Sequence, residues 1–104
     1  MVKIEIIING DHIDDVLKSV SNLEINMLNF FEISSIGNPL DQTTVYRGVS
    51  HSKGYTSKIK IEILTSKEKI SDLKTALSEL VKNAPQLSPI EVFFTDIVEF
   101  SQFS

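Results

Sequence analysis

The chain has 104 residues, of which 41% are hydrophobic and 23% charged, and its formal net charge is −4. This length fits a single domain spanning residues 1–104. The acidic balance argues against a nucleic-acid binder, which would need a basic patch. The sequence contains no cysteine, which excludes disulfides, zinc ribbons and thiol nucleophiles. No apolar run approaches the roughly 20 residues of a membrane-spanning helix. We therefore expect a cytoplasmic protein without membrane insertion.

The first third of the chain predicts a strand, a helix and a second strand. Residues 2–9 mix β-branched and charged side chains and predict a strand that ends at Gly10. Asp11 is a candidate cap for the helix that follows. The apolar residues of that helix recur at helical spacing: Ile13, Val16, Leu17 and Val20. Residues 27–36, rich in β-branched and aromatic side chains, predict the second strand.

No periodic pattern is sustained over residues 37–57, which predicts a long loop of the kind that usually carries function. The clearest strand pattern follows at residues 58–64. Ser66 is a candidate cap for a second helix, which Pro85 ends. The apolar face of this helix comprises Ile70, Leu73, Leu77, Leu80 and Val81. A last strand over residues 90–95 and a short amphipathic tail over residues 96–104 complete the chain.

This order predicts a ferredoxin-like βαββαβ sandwich, an α+β fold with both helices on one face of a four-stranded sheet. Phe30 and Phe31 must point to opposite faces of the sheet, and so must Phe93 and Phe94. Because the helices cover only one face, we expect another subunit to cover the other. The alternative is a sheet edge shielded by the C-terminal tail.

The sequence offers little for catalysis or metal binding. His12 and His51 have no partners at metal-ligand spacing. No serine elbow, P-loop or Gly-x-Gly-x-x-Gly is present, and Arg47 is the only arginine, which argues against phosphoryl chemistry. We therefore expect a protein that is not an enzyme and has no catalytic residue, no metal site and no resident cofactor.

Glu5 and Glu62 lie on predicted strands beside Lys3 and Lys60. Carboxylates and amines at such positions commonly form ion pairs between neighbouring strands. We expect cross-strand pairing here.

Two features together resemble the PII (nitrogen regulatory protein P-II) superfamily. Tyr46-Arg47-Gly48 stands in the long loop, and the strand Lys-Ile-Lys-Ile-Glu-Ile-Leu of residues 58–64 follows at the family's spacing. Residues 2–8 are similar to the family's first strand, and Gly37 matches a family glycine just past the second strand. The resemblance covers roughly residues 1–80. It implies a divergent PII-like signalling protein, a homotrimer with a T-loop-like segment at residues 37–57.

The resemblance also implies a small effector, an adenine nucleotide (AMP, ADP, ATP or a cyclic nucleotide), held in clefts between subunits. In the family the adenine lies against the second strand and the strand after the loop. The implied ligand-binding residues are Asn29, Ser34, Ser35, Ile36, Gly37, Asn38 and Leu64. The Asn29 amide suits an adenine edge, although a plain polar residue on an edge strand is an equal alternative. Residues 35–38 offer backbone N–H groups to a phosphate, or else form an ordinary turn.

The loop is the implied contact with a partner, a membrane transporter or a metabolic enzyme. The residues implied are Tyr46, Arg47, Gly48, His51, Lys53 and Lys58. In the family the loop arginine enters the partner, whereas the alternative here is a solvated charge on Arg47.

The chain departs from the family in several segments. Residues 83–90 contain no glycine and no basic residue, whereas the family has a glycine-rich phosphate loop there. Pro85 and Pro89 also remove two backbone donors. Pro39 stands where the family has a glutamine that binds 2-oxoglutarate with magnesium, and His51 replaces the tyrosine that some members modify. These departures argue against tight triphosphate binding, 2-oxoglutarate sensing and uridylylation.

Two alternatives share the fold class. The first is a ferredoxin-like trimer of the divalent-cation-tolerance type, with a structural or metal role. Cysteine or clustered histidine in the sequence would indicate this type. An amino-acid-binding module related to the ACT domain would be a dimer with a glycine-containing turn after the first strand, a condition that Gly10 meets weakly.

Overall fold

The structure is a computed structural model that describes residues 1–36 and 55–104. Its strands are β1 (Val2–Asn9), β2 (Met27–Ser35), β3 (Thr56–Thr65) and β4 (Glu91–Asp96), and its helices are α1 (Ile13–Val20) and α2 (Ile70–Asn83). Single turns of 3₁₀ helix at Gly10–His12, Lys67–Lys69 and Pro85–Leu87 connect them. The order of strands and helices predicted from the sequence is confirmed.

The strands form one antiparallel sheet in the order β2-β3-β1-β4. Each helix therefore connects two strands that are parallel but separated by a third strand lying between them. This arrangement of a four-stranded antiparallel sheet and two helices is compatible with the ferredoxin-like fold.

The core lies between the helices and one face of the sheet. Every second residue of β1, and of β3 from Ile59 onward, is buried there, as alternation in a half-covered sheet requires. The buried apolar residues of the strands are Val2, Ile4, Ile6, Ile8, Ile59, Ile61 and Ile63, and those of the helices are Val16, Val20, Leu73 and Leu77. Burial of such a side chain stabilises the fold by about 1.5–3 kcal/mol.

The predicted helix caps are wrong. Asp11 lies inside the 3₁₀ turn that precedes α1, and the residue before α1 is His12, which makes no capping side-chain bond. Ser66 precedes the 3₁₀ turn before α2 and accepts a bond from the Lys69 N–H through its carbonyl, not its hydroxyl. In both places a 3₁₀ turn precedes the helix where a side-chain cap was expected.

The strand ends also differ slightly from the prediction. β3 begins at Thr56, so residues 56 and 57 belong to the sheet and not to the loop. Lys58, assigned to the partner-binding loop, lies in β3 opposite Ile33. β2 ends at Ser35 and β4 begins one residue later than expected, at Glu91.

In the described ranges 1–36 and 55–104, neither helix has the length and apolar character needed to cross a membrane.

Candidate functional site

In the part of the chain that the structure describes, the helices leave the second face of the sheet uncovered. We call this surface the open face. It comprises Lys3, Glu5 and Ile7 of β1, Met27, Asn29, Phe31, Ile33 and Ser35 of β2, Lys58, Lys60, Glu62 and Leu64 of β3, and Glu91, Phe93 and Thr95 of β4. Phe93 is 51% exposed and Phe31 39% exposed. Large apolar side chains exposed together on one face are typical of surfaces that contact another protein or a ligand.

A charge network occupies the middle of the open face. Glu5 lies directly opposite Glu62 on the neighbouring strand, a like-charge pair that alone would be unfavourable. Lys60 lies between them, with its Nζ 3.2 Å from Glu5 Oε2 and 3.8 Å from Glu62 Oε2. Lys3 Nζ is 3.7 Å from the same Glu62 oxygen. The predicted cross-strand ion pairing is confirmed, and Lys60 is its centre.

The remaining charges of the face are also paired. Lys58 Nζ lies 3.5 Å from Glu91 Oε1, so this ion pair crosses over β1 from β3 to β4. Lys60 Nζ lies 4.8 Å from the centroid of the Phe31 ring, within the range of a cation–π contact. The three lysines and three glutamates of the face balance, which leaves a neutral surface flanked by apolar side chains.

Two of the residues implied for adenine binding lie together. Asn29 is exposed and lies opposite Glu62, and Leu64 lies opposite Met27. All four residues are neighbours on the open face at its β2 edge. An adenine ring seated there would have an apolar surface from Met27 and Leu64 and an amide from Asn29.

The other described members of that set lie at the far end of β2. Asn29 and Ser35 share a face but are six residues apart, about 20 Å along a strand. Ser34 lies opposite Ser57 and therefore points to the helix side of the sheet. A ligand that touches both Asn29 and the end of β2 must lie extended along the strand. Ser34 offers only its backbone to such a ligand.

Several of the residues implied by the resemblance lie outside the described parts of the chain. They are Gly37 and Asn38 of the ligand set, and Tyr46, Arg47, Gly48, His51 and Lys53 of the partner loop. Their roles stay predictions.

The connection from α2 to β4 is closed by its own hydrogen bonds. The N–H groups of Ala84, Leu87 and Ser88 donate to the carbonyls of Leu80, Ala84 and Pro85, in that order. Leu87 is only 3% exposed and fixes the segment to the core. The segment thus offers few backbone donors for an anion, in agreement with its lack of glycine.

Sequence reasoning did not assign several open-face residues to the candidate site. These are Met27, Phe31, Lys60, Glu62, Glu91 and Phe93. The alternation of side chains along each strand could have identified them. Side chains next to a buried residue in a strand point to the opposite face, which here is the open face.

In the described parts of the chain, no three or more His, Cys, Asp or Glu residues are grouped so as to hold a metal ion.

Comparison with known proteins agrees with the resemblance. The family model for the nitrogen regulatory protein P-II matches residues 1–100. The nitrogen regulatory protein P-II of Pasteurella multocida is 28% identical over 93% of this chain and 86% of its own length. The protein of the same name from Haemophilus influenzae is 29% identical over 76% of this chain and 70% of its own length. That from Porphyra purpurea is 27% identical over 93% of this chain and 86% of its own length.

A solved structure shows the same fold at lower identity. The crystal structure of a DUF3240 family protein from Shewanella baltica has a TM-score of 0.70 and 19% identity, and the match covers 99% of this chain and 97% of the other. The match of the P-II family model to nearly the whole sequence, together with the fold, establishes that this chain belongs to the nitrogen regulatory protein P-II family.

Proposed function

We propose that this chain is a single-domain, cytoplasmic PII-like signal-transduction protein. It binds an adenine nucleotide in clefts between the subunits of a homotrimer and regulates a membrane transporter or a metabolic enzyme through its loop at residues 37–57. It acts by binding and not by catalysis. Membership of a family named for regulation supports the regulatory part of the proposal.

The observation that carries the proposal is the position of Asn29 and Leu64. These two of the residues that the family resemblance implies for the adenine are neighbours on the sheet face that the helices leave uncovered. One chain would supply one side of a binding site at the edge of that face. A second subunit packed against the open face would supply the other side. Exposed Met27 and Phe31 supply apolar surface for that contact.

The two alternative functions have weaker support. The metal-tolerance type would need converging metal ligands, and the ACT-related module would need a different family. The family match is to P-II, and no observation on the described residues favours either alternative.

The proposal is tested by a thermal-shift screen of the purified protein, sized by light scattering, against AMP, ADP, ATP, cyclic AMP and c-di-AMP. A ligand at 100 times its Kd stabilises the native state by about 2.7 kcal/mol, which a melting curve detects. The proposal predicts a trimer stabilised by an adenine nucleotide. A protein that is monomeric and insensitive to every compound would contradict it.

The Asn29→Ala variant locates the site. Loss of one or two side-chain hydrogen bonds, each worth about 1 kcal/mol, should weaken binding of the stabilising nucleotide by about fivefold to thirtyfold. Asn22→Ala is the matched control, because it removes an exposed amide just after α1 and should leave the affinity unchanged. Equal affinities of the two variants would place the adenine elsewhere.

A further inference from the structure

A polar recess of about 250 Å³ lies at the end of the sheet where β2 begins and β3 ends. This end is about 30 Å along β3 from Thr56, the first residue of that strand. The connection between α1 and β2 forms one side of the recess, and the end of β3 with the turn that follows it forms the other. The residues that line the recess are Glu24, Ile25, Asn26, Thr65, Ser66 and Lys69. None of them is among the residues implied for adenine binding.

Two hydrogen bonds hold the two sides of the recess together. The Thr65 hydroxyl donates to the Glu24 carbonyl at 2.8 Å, and the Asn26 N–H donates to the Leu64 carbonyl at 2.9 Å. Thr65 is buried on the helix side of the sheet, whereas Leu64 lies on the open face with Asn29. The recess is thus formed in advance, which lowers the entropic cost of binding, and it is separate from the candidate adenine contact.

An apolar crevice in the core adjoins the recess. Ile25, Thr65 and Lys69 line both spaces. The other residues of the crevice are all apolar: Ile4, Leu23, Ile63 and Leu73. Its free volume of about 10 Å³ has room for one group of the size of a water molecule or a methyl group. A ligand in the recess could therefore place one small apolar group in the core.

The two charged residues that line the recess are both unpaired in the part of the chain that the structure describes. Neither Lys69 nor Glu24 forms an ion pair with a described residue, and they do not pair with each other. Lys69 is also half-buried, whereas Lys18 and Lys82, which likewise lack an ion pair among the described residues, are exposed. Because removing an amine from water is unfavourable without a partner, a carboxylate brought by a ligand would offset that cost.

We propose that this recess binds a free α-amino acid with a small apolar side chain, such as alanine. The carboxylate of the ligand pairs with Lys69, its ammonium group pairs with Glu24, and its methyl group enters the apolar crevice. The Ser66 hydroxyl and the Asn26 amide supply further hydrogen-bonding groups at the mouth. This site goes beyond the proposed function and does not depend on it.

The test is calorimetric titration of the intact chain with alanine up to about 10 mM, a range that covers the millimolar Kd of a weak small-molecule site. Propionate and ethylamine are the matched control ligands, because each keeps the alkyl part of alanine and only one of its two charges. Leucine tests the size of the crevice. The variants are Lys69→Gln and Glu24→Gln, with Lys82→Gln as the control that removes an exposed lysine near the other end of α2.

We expect saturable binding of alanine and weaker binding of leucine, propionate and ethylamine. Lys69→Gln and Glu24→Gln should each weaken alanine binding by about threefold to tenfold, the effect of roughly one unit-charge interaction near a protein surface. Lys82→Gln should leave the affinity unchanged. Melting curves of the three variants check that each is folded.

Three results would overturn the inference. They are no binding of alanine by the wild-type protein, binding of propionate or leucine as tight as that of alanine, and an equal effect of Lys69→Gln and Lys82→Gln. None of them bears on nucleotide binding, which is measured separately, so the proposed function would stand or fail on its own test.

Discussion

Lys60 holds together the charges on the open face of the sheet. Its amine contacts the carboxylates of Glu5 and Glu62, which face each other across β1 and β3, and also lies over the ring of Phe31. Because the three charged side chains are each about one quarter exposed, their interactions are less screened than those of a fully solvated pair. The stability of this part of the sheet should therefore depend on one cation.

We expect Lys60→Gln to lower the free energy of unfolding by about 1 kcal/mol, because Glu5 then loses its cation and repels Glu62, which keeps only its longer contact with Lys3. The loss should shrink at high salt, which screens the repulsion. Urea denaturation at low and high ionic strength measures both effects. Lys67→Gln removes an exposed partner of Asp96 and is the control that should show almost no change. Equal losses for the two variants would contradict the role given to Lys60.

Ile61 tests the position of the core. Its side chain is fully buried at the centre of β3, so Ile61→Ala should cost about 2–5 kcal/mol of stability. Val98 is an apolar side chain that is fully exposed, and Val98→Ala should change stability by less than about 0.5 kcal/mol. Thermal unfolding of the two variants distinguishes them, and a small effect at Ile61 would mean that the sheet faces are assigned in reverse.

At the residue scale, the sequence predicted which charged residues pair with each other better than it predicted where the candidate site residues lie. The glutamates and lysines of β1 and β3 were correctly expected to pair, because charged residues in alternating strands must lie on the face away from the core. Thr56 and Ser57 were predicted to lie in the loop, because nothing in the sequence marks where strand pairing resumes; their pairing with Ser35 and Ser34 extends β3 by two residues before Lys58.

At the scale of the elements, the positions of the strands and helices could be predicted from the spacing of apolar residues. Burial of one face of each element requires that spacing. Buried and partly exposed residues alternate along β1 as far as Ile8 and along β3 from Lys58 onward. The helix starts did not follow, because 3₁₀ turns precede both α1 and α2 and replace the expected side-chain caps. Whether a helix begins with a 3₁₀ turn depends on contacts with the rest of the fold, which the local sequence pattern does not indicate.

The tail after β4 is the element that contributes least to its own subunit. The N–H of Ile97 donates to the carbonyl of Met1, and beyond it Val98 and Phe103 are almost completely exposed. Within this chain the tail leaves Phe93 half exposed, so it does not shield the open face.

We therefore expect removal of residues 98–104 to leave the unfolding free energy of the isolated subunit within about 0.5 kcal/mol of the intact value. Circular dichroism melts of both forms at equal concentration measure this. Truncation at residue 86 is the contrasting variant, since it removes β4 and the buried Leu87 and should abolish cooperative unfolding. A large loss from the short truncation would show that the tail packs on the domain.

At the scale of the whole molecule, the open face is the surface that the fold leaves incomplete. The sequence indicated this through aromatic pairs that must point both ways across a sheet. It could not indicate how many copies meet there, because one chain's pattern fixes which face is apolar and not the symmetry of its partners. The homotrimer is part of the proposal for that reason.

A pair of substitutions separates the two sheet faces. Phe93→Asp places a charge on the open face, whereas Phe30→Asp places one on the helix side of edge strand β2, at a side chain of similar exposure, 55% against 51%. We expect Phe93→Asp to dissociate the oligomer, because a buried unpaired charge is strongly unfavourable at an interface. Phe30→Asp should leave it intact. Light scattering of both folded variants decides, and an unaffected Phe93→Asp oligomer would exclude the open face as the contact.

Nucleotide binding by the intact, sized protein, measured by calorimetry with light scattering on the same sample, is the decisive test of the proposed function. We expect a particle of three times the 11.7 kDa chain mass that binds an adenine compound saturably, with one site per chain. A monomer of 11.7 kDa that binds no adenine compound would reject the proposed function.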